Sequence, residues 1–130
     1  MHVSEHMSHD AVTVGPDEKL AVAASKMKDG NFRRMPVMED GNLIGIVSEF
    51  DLDQYRDSLD SVRVRSVMTA EPITVESSAT MEHAAALMTK HEVRGLPVVD
   101  HGKLVGIITA GDMMLHLRHH AHDAAHQKTG

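Results

Sequence analysis

The sequence predicts an α/β protein built from two tandem copies of one unit, each with the order strand, helix, strand, strand, helix. Three observations predict this class. The chain has 130 residues, the size of one compact domain. Residues 7–53 align without a gap on residues 68–114, at an offset of 61 residues, and 14 of the 47 aligned positions are identical. Within each copy, short apolar runs alternate with apolar residues at a helical period, which predicts strands and helices in alternation.

Each unit begins with a short apolar strand followed by an amphipathic helix. The strand covers Val12–Val14 in the first copy and Ile73–Val75 in the second. Apolar residues then recur at i, i+3, i+4 and i+7, which predicts one buried stripe on a helix of about three turns. The stripe residues are Leu20, Ala23, Ala24 and Met27, with Met81, Ala84, Ala85 and Met88 in the second copy.

The ends of these helices have sequence signals of their own. Pro16 and Asp17 suit the start of the first helix, and Ser78 or Thr80 is the expected cap of the second. Gly30 is the expected residue after the first helix, because Gly tolerates the left-handed conformation that commonly ends a helix. The second copy has a His at the equivalent position.

A β-hairpin and a second helix complete each unit. Apolar runs flank Asp40–Gly41 in the first copy and His101–Gly102 in the second, and such dipeptides favour tight turns. Because the runs are almost wholly apolar, we expect both faces of each sheet to be covered. Each half has only about 50 ordered residues, which is marginal for a lone core, so we expect the two sheets to pack together and share one core. The hairpin strands are Met35–Glu39, Leu43–Ser48, Leu96–Asp100 and Leu104–Thr109, and the second helices cover residues 49–56 and 110–122.

Composition excludes several classes of function. The chain has no Cys, no Trp and three other aromatic residues, so it has no disulfide, no thiolate nucleophile and no stacking platform for single-stranded nucleic acid. A net charge of −6 argues against a nucleic-acid partner. No G-x-S-x-G, P-loop or G-x-G-x-x-G motif indicates an enzyme. No apolar stretch approaches the ~20 residues of a membrane span and no signal peptide is evident, so we expect a cytoplasmic protein without a membrane partner.

The sharpest local motif follows each hairpin, at Gly45–Asp51 and Gly106–Asp112. Its pattern is Gly, two apolar residues, Ser or Thr, and an acid three residues later, at the junction of a strand and a helix. A Ser or Thr followed by such an acid is close to a helix-capping box. The same geometry also suits a nucleotide, because the helix start attracts phosphate and the acid accepts hydrogen bonds from ribose hydroxyls. Taken alone the motif favours capping, and both interpretations stay open.

The complete 61-residue unit resembles a CBS (cystathionine β-synthase) domain, and the chain resembles a free-standing CBS pair over about residues 3–118. Two sets of motifs in register are more specific than any one of them. We therefore expect one repeat in residues 1–61 (motif 7–57) and another in residues 62–130 (motif 68–118). The matching segments are residues 7–8, 12–14, 33–37 and 45–52 in the first repeat, with 68–69, 72–75, 94–100 and 106–112 in the second.

The resemblance implies a non-catalytic, ligand-sensing regulatory module. Such pairs bind AMP, ADP, ATP, S-adenosylmethionine or a nicotinamide dinucleotide such as NAD. The ligand is an effector, so no cofactor is required. The resemblance also implies two clefts between repeats that pack through their sheets about a pseudo-two-fold axis. A homodimer in the form of a flat disc, or an unidentified regulated protein, would then transmit the ligand state.

Site residues are carried over from the resemblance one by one. Asp51 and Asp112 would hold ribose hydroxyls, and Ser48 and Thr109 would lie near phosphates. We expect each cleft to combine both repeats, with Asp51 facing Thr69 and Arg94, and Asp112 facing Ser8 and Arg33. The adenine pockets would be lined by Ser8, Val12, Phe32, Arg33 and Arg34 and by Thr69, Ile73, Val93, Arg94 and Gly95. The motif prolines Pro36 and Pro97 are also expected among the ligand-binding residues.

One position departs from this symmetry. The first repeat has Arg34 where the second has the small Gly95. A guanidinium at this position either clamps a phosphate or fills the space that adenine needs. We therefore expect unequal clefts, with the Gly95 cleft as the better adenine site.

The histidines suggest an alternative function. Five of the 11 follow residue 115. If the last helix continues, His116, His119, His120 and Asp123 fall at i, i+3, i+4 and i+7, a spacing that can chelate Zn, Ni or Cu. The chain would then be a metal- or pH-responsive interaction protein acting through the tail 116–130. A polar helix end without a metal is the favoured interpretation, because no second ligand cluster completes a tetrahedral site.

Overall fold

A computed structural model describes residues 1–115 of the chain. In that part the protein is a mixed α/β structure with two three-stranded antiparallel sheets and four helices, which confirms the predicted fold class. The elements in chain order are β1 (Ser8–His9), α1 (Leu20–Gly30), β2 (Arg34–Glu39), β3 (Asn42–Ser48), α2 (Glu49–Asp53), β4 (Thr69–Ala70), α3 (Met81–His91), β5 (Gly95–Asp100), β6 (Lys103–Thr109) and α4, which begins at residue 110. Short 3₁₀ turns lie at Val3–Glu5, Arg56–Ser58 and Val64–Ser66.

Each sheet combines strands from both repeats. The strand orders are β1-β6-β5 and β2-β3-β4. Ser8 and His9 pair with Ile107 and Gly106, and the equivalent residues of β4 pair with β3 in the same register. The start of each repeat therefore crosses over to complete the sheet of the other.

Glycines permit this crossing. A Cβ added at Gly106 would overlap the carbonyl oxygen of Ser8. At the equivalent Gly45, an added Cβ would stand 2.6 Å from Met68 Sδ and 3.0 Å from the carbonyl oxygen of Thr69. The duplicated glycine is therefore a close-approach position on which the short strand lies.

The crossing segments also complete two hydrophobic cores, where a single shared core was expected. Val64 is fully buried against the first repeat, beside Leu20, Met35 and Leu52, and Val3 is fully buried against the second. The buried residues form two separate clusters, and β3 and β6 contact each other where the repeats meet. No helix within residues 1–115 has both the length and the apolar character needed to cross a membrane.

The predicted first strands are shorter than expected. Val14 and Val75 make single parallel bridges to Val37 and Val98. At each of these positions one residue is paired, as where the backbone of Val14 hydrogen-bonds to Pro36 and Met38 of β2. The regular pairing occurs a few residues earlier, at β1 and β4. The helix after the first hairpin is also shorter than predicted: it ends at Asp53 and is followed by a 3₁₀ turn.

Turn and cap signals were largely correct, with shifts of a few residues. Thr80 caps α3, since its hydroxyl oxygen accepts the N–H of His83 at 3.0 Å. Helix α1 instead begins after Lys19, which makes no side-chain cap, so Pro16 and Asp17 precede the helix. Gly30 is the last helical residue, and Asn31 rather than Gly30 adopts the left-handed conformation, with φ of 56°.

Candidate functional site

The Ser/Thr-x-x-Asp motif forms the same capping box at both strand–helix junctions. The N–H of Ser48 donates to Asp51 Oδ2 at 2.8 Å, and its hydroxyl donates to the same oxygen at 3.0 Å. The Ser48 hydroxyl oxygen in turn accepts the N–H of Asp51 at 3.3 Å. Thr109 and Asp112 repeat these three hydrogen bonds at the same distances. The capping interpretation of the motif is therefore correct.

Capping leaves half of each carboxylate available. Every hydrogen bond to Asp51 or Asp112 among residues 1–115 ends on Oδ2. The box thus fixes the orientation of the carboxylate while Oδ1 has no donor from the described part of the chain. An ionised carboxylate accepts hydrogen bonds on both oxygens, so the capping role and a binding role are compatible.

Each of these carboxylates lies in a cleft between the repeats. The cavity beside Asp112, which we name the Asp112 cleft, has a volume of about 610 Å³. The cavity beside Asp51, the Asp51 cleft, has a volume of about 490 Å³. Of the residues expected from the sequence, the Asp112 cleft is lined by Ser8, Val12, Phe32, Arg33, Arg34, Arg94, Thr109 and Asp112. The Asp51 cleft is lined by Arg34, Ser48, Asp51, Thr69, Ile73, Val93, Arg94 and Gly95.

The walls come from both repeats in each cleft. Asp51 shares its cleft with Thr69 and Arg94, while Asp112 shares its cleft with Ser8 and Arg33. These are the expected combinations. They follow from the strand exchange, because β1 brings Ser8 next to β6, and β4 brings Thr69 next to β3.

Two expected residues lie elsewhere. Pro36 and Pro97 are buried in β2 and β5 and line neither cleft. Their carbonyl oxygens accept the N–H groups of Val14 and Val75, each at 3.1 Å. They lie on the opposite face of each sheet from their strand neighbours, because successive side chains of a strand alternate. Those neighbours belong to the two hydrophobic cores and are Met35 and Val37 in β2 and Leu96 and Val98 in β5.

Arg34 lies on the boundary between the clefts and lines both of them. Its Cδ would be 2.5 Å from a Cβ added at Gly95, so the aliphatic stem of Arg34 occupies the space above its own repeat equivalent. Burial lowers the pKa of the Arg34 guanidinium, and the charges of Arg94 and Arg33 lower it further. The three guanidinium groups therefore form one cluster of like charge, with Arg34 and Arg94 lining both clefts and Arg33 lining the Asp112 cleft.

Sequence reasoning missed four lining positions that have left-handed backbone. Asp10 and Asn31 line the Asp112 cleft with φ of 53° and 56°. Glu71 and Glu92, their repeat equivalents, line the Asp51 cleft with φ of 49° and 54°. The 61-residue offset shows that these residues are equivalent in the two repeats. It does not show that their backbone has a positive φ, so the sequence offers no reason to place them in the clefts.

The proposed metal ligands were His116, His119, His120 and Asp123, and all four lie outside the described residues. Within residues 1–115, no three His, Asp or Glu side chains come together in a way that could hold a metal ion.

Comparison with known proteins places the chain among relatives of known architecture. The family model described as "CBS domain" matches twice, over residues 3–57 and 64–119. The chain is 35% identical over 116 residues to the CBS domain-containing protein YhcV of Bacillus subtilis, covering 85% of this chain and 81% of that one. Among solved structures, the CBS domain pair of protein MJ0100 in complex with 5′-methylthioadenosine and S-adenosyl-L-methionine matches with a TM-score of 0.83 and 25% identity, over 90% of this chain and 99% of the other. CBSX2 from Arabidopsis thaliana in complex with AMP matches with a TM-score of 0.78 and 26% identity, over 91% of this chain and 97% of the other.

Proposed function

Because this chain belongs to the CBS domain family, we propose that it is a non-catalytic regulatory module that binds adenosine-containing ligands in its two clefts. Candidate ligands are AMP, ADP, ATP, S-adenosylmethionine and NAD. The likeness to MJ0100 and CBSX2, which hold ligands of this class, supports the proposal. A family alone does not define a function, so the argument rests on the geometry of the clefts.

The observation that carries the proposal is the half-occupied carboxylate in each cleft. Asp51 and Asp112 are held rigidly by their capping boxes through Oδ2. Oδ1 of each remains as an acceptor for a hydroxyl of the ligand. A ribose offers two neighbouring hydroxyl donors, and a fixed carboxylate is the group that nucleotide-binding folds use to bind them.

The rest of each cleft suits the other parts of an adenosine ligand. Val12 lines one cleft, and Ile73 and Val93 line the other, and these side chains supply an apolar surface for the adenine ring. Arg34 and Arg94 lie between the clefts, where a guanidinium can bind a phosphate or carboxylate through two hydrogen bonds.

We further propose that the ligand state is transmitted through a homodimer or an unidentified partner. The apolar side chains of Met114 and Leu115 on α4 are more than half exposed, which supports an association surface at this helix. A ligand shifts such an equilibrium only if its affinity differs between the two states.

Thermal unfolding with a panel of adenosine ligands tests the proposed binding. A ligand at about 100 times its dissociation constant is expected to add ~2.7 kcal/mol of stability. The Asp51→Ala/Asp112→Ala double variant is expected to lose this shift. Because each substitution also removes half of a capping box, the matched control is Thr80→Ala. It removes a cap from α3, away from both clefts, and is expected to keep the full ligand shift.

Two results would contradict the proposal. One is the absence of any shift with every adenosine ligand in the panel. The other is a full shift that survives in the double variant, because the ribose carboxylates would then play no part in binding.

A further inference from the structure

The two clefts differ in charge, although equivalent segments of the two repeats build them. The difference lies in the carboxylate and guanidinium groups that line each cleft. In the Asp112 cleft the carboxylates are Asp10 and Asp112, and the guanidinium groups are Arg33, Arg34 and Arg94. These groups sum to a formal charge of +1.

In the Asp51 cleft the balance is reversed. Its carboxylates are Asp51, Glu71 and Glu92, and its guanidinium groups are Arg34 and Arg94, with a formal charge of −1. Arg33, the cation that only the Asp112 cleft has, is 81% exposed, and its nearest carboxylate is Glu49 at 3.7 Å. An exposed ion pair at this distance is weak. The guanidinium of Arg33 is therefore available to a ligand.

One repeat-equivalent pair accounts for the extra carboxylate. Asn31 and Glu92 follow α1 and α3 at the same position, both with left-handed backbone. Asn tolerates this conformation, whereas a longer side chain such as Glu is rarely found in it. Within residues 1–115, the carboxylate of Glu92 has no hydrogen bond or ion pair. Neither local conformation nor a structural contact therefore accounts for an acid at this position.

A fixed negative charge in a partly enclosed cleft acts strongly on a charged ligand. The interaction between two charges increases as the effective dielectric falls below that of water. A phosphate near Glu71 and Glu92 is repelled, while a sulfonium or ammonium group is attracted. In the Asp112 cleft, Arg33 attracts a phosphate, and Asn31 adds no charge at the position that Glu92 has in the other cleft.

Resting on the function proposed above, we infer that the clefts select adenosine ligands of different charge. The Asp112 cleft takes a ligand that carries phosphate, of the adenine nucleotide class. The Asp51 cleft takes an adenosyl ligand without phosphate, of the cationic adenosyl sulfonium class. Glu92, whose counterpart is Asn31, and Arg33, which only the Asp112 cleft has, together make this difference.

Calorimetric titration of the full chain with AMP and with S-adenosylmethionine assigns each ligand to a cleft. AMP is expected to bind once per chain and to lose at least about tenfold in affinity in Asp112→Ala, but not in Asp51→Ala. S-adenosylmethionine is expected to show the opposite dependence. Tenfold in affinity corresponds to about 1.4 kcal/mol, which the loss of one well-placed contact supplies.

Exchanging the paired residues tests the role of charge directly. Glu92→Asn is expected to create a second AMP site per chain, which the further change Asp51→Ala removes, and to weaken S-adenosylmethionine about tenfold. Asn31→Glu is expected to weaken AMP about tenfold, and α3 already accommodates Glu in this conformation. Glu76→Gln removes one negative charge outside both clefts and is expected to change neither ligand.

The outcomes separate the inference from the proposed function. If AMP depends on Asp51 in the unmodified chain, or if Glu92→Asn leaves both ligands unchanged, charge selection is wrong and the adenosine-binding function stands. If neither ligand binds, the inference fails, and the proposed function fails with it when no other adenosine ligand of the panel shifts the unfolding.

Discussion

Equivalent acids at the ends of β2 and β5 have different partners. Glu39 Oε2 accepts a hydrogen bond from Arg65 Nη2 at 2.6 Å. Asp100 instead accepts the N–H of Ser77 at 2.9 Å and the Ser77 hydroxyl. These two donors hold the pKa of the Asp100 carboxyl below its usual range. The ionised form of Asp100 is therefore favoured in the folded protein.

This pKa shift predicts a pH dependence. A lowered folded-state pKa stabilises the fold above the ordinary pKa of Asp, and the contribution is lost as the pH falls through the lowered value. Ser77→Ala removes the hydroxyl but keeps the N–H, so we expect the pKa of Asp100 to rise part of the way to its ordinary value. Titration of the carboxyl carbon by NMR measures this change. Ser78→Ala is the control, and an unchanged Asp100 titration in Ser77→Ala would refute the prediction.

Replacement of Gly106 and Gly111 by Ala is expected to have opposite effects on stability. Gly106→Ala is expected to destabilise by about 1–3 kcal/mol, because the added methyl meets the backbone oxygen of Ser8 and displaces β1. Gly111→Ala is expected to stabilise the fold by about 0.4–1 kcal/mol, because position 111 is helical and has room for a methyl group. A Cβ added there would lie 3.5 Å from Thr109 Oγ1, which is an ordinary van der Waals contact. Urea unfolding of both variants measures the difference. Equal midpoints would argue against the close approach of β1.

At the scale of single residues, the sequence could predict the contacts between residues that are close together in the chain. The Ser/Thr-x-x-Asp spacing predicted both capping boxes, because residues three apart meet at a helix start. It could not reveal that, within residues 1–115, hydrogen bonds reach one oxygen of each carboxylate, because the spacing does not fix the rotation of that group. Nor could it reveal that the stem of Arg34 lies over Gly95, because that contact joins distant parts of the chain. The pairing of each acid with the opposite repeat came from the family resemblance and not from any spacing in the chain.

At the scale of elements, the 3₁₀ turns Val3–Glu5 and Val64–Ser66 each pack into the core of the other repeat. The backbone of Val3 donates to Ala79 at 2.8 Å, and that of Val64 donates to Glu18 at 2.9 Å. Both side chains are fully buried. Each turn therefore combines a hydrogen bond and an apolar contact with a repeat other than its own.

Truncating these two side chains should be equally costly. Val3→Ala and Val64→Ala are each expected to destabilise the fold by about 1.5–3 kcal/mol, since each removes fully buried apolar surface. Val22→Ala, on the exposed side of α1, is expected to change stability by less than about 0.5 kcal/mol. Chemical unfolding of the three variants gives the comparison. A cost at Val3 as small as that at Val22 would show that the first turn does not support the second core.

The sequence predicted the elements better than their partners. Hairpins, the stripes of α1 and α3, and the Thr80 cap follow from periodicity and turn chemistry within a few residues. The positive φ at Asp40 and Gly41 agrees with the predicted tight turn. The crossing of Val3–Glu5 to the second repeat is a contact between distant parts of the chain, and no local pattern specifies it.

At the scale of the whole molecule, the exchange ties two separate cores into one folding unit. The first core lacks Val64 unless residues beyond 61 are present, and the second lacks Val3 and Met7 unless the first residues are present. Small domains with incomplete cores are marginal. The two halves should therefore fold and unfold together.

Separated halves test this dependence. We expect residues 1–61 and 62–130, produced as two polypeptides, to be unfolded alone and to recover native structure when mixed. Circular dichroism and amide spectra of each half, before and after mixing, measure the recovery. A cooperative thermal transition in either half alone would contradict the prediction.

The exchanged strands also carry information about ancestry. A single unit of this kind, with its leading segment extended, would build the same structure as an entwined pair of identical chains, whose two cavities symmetry would force to be alike. Duplication and fusion remove that constraint, because each copy can then mutate alone. Asn31 and Glu92 are a difference of this kind, which an entwined pair of identical chains could not have.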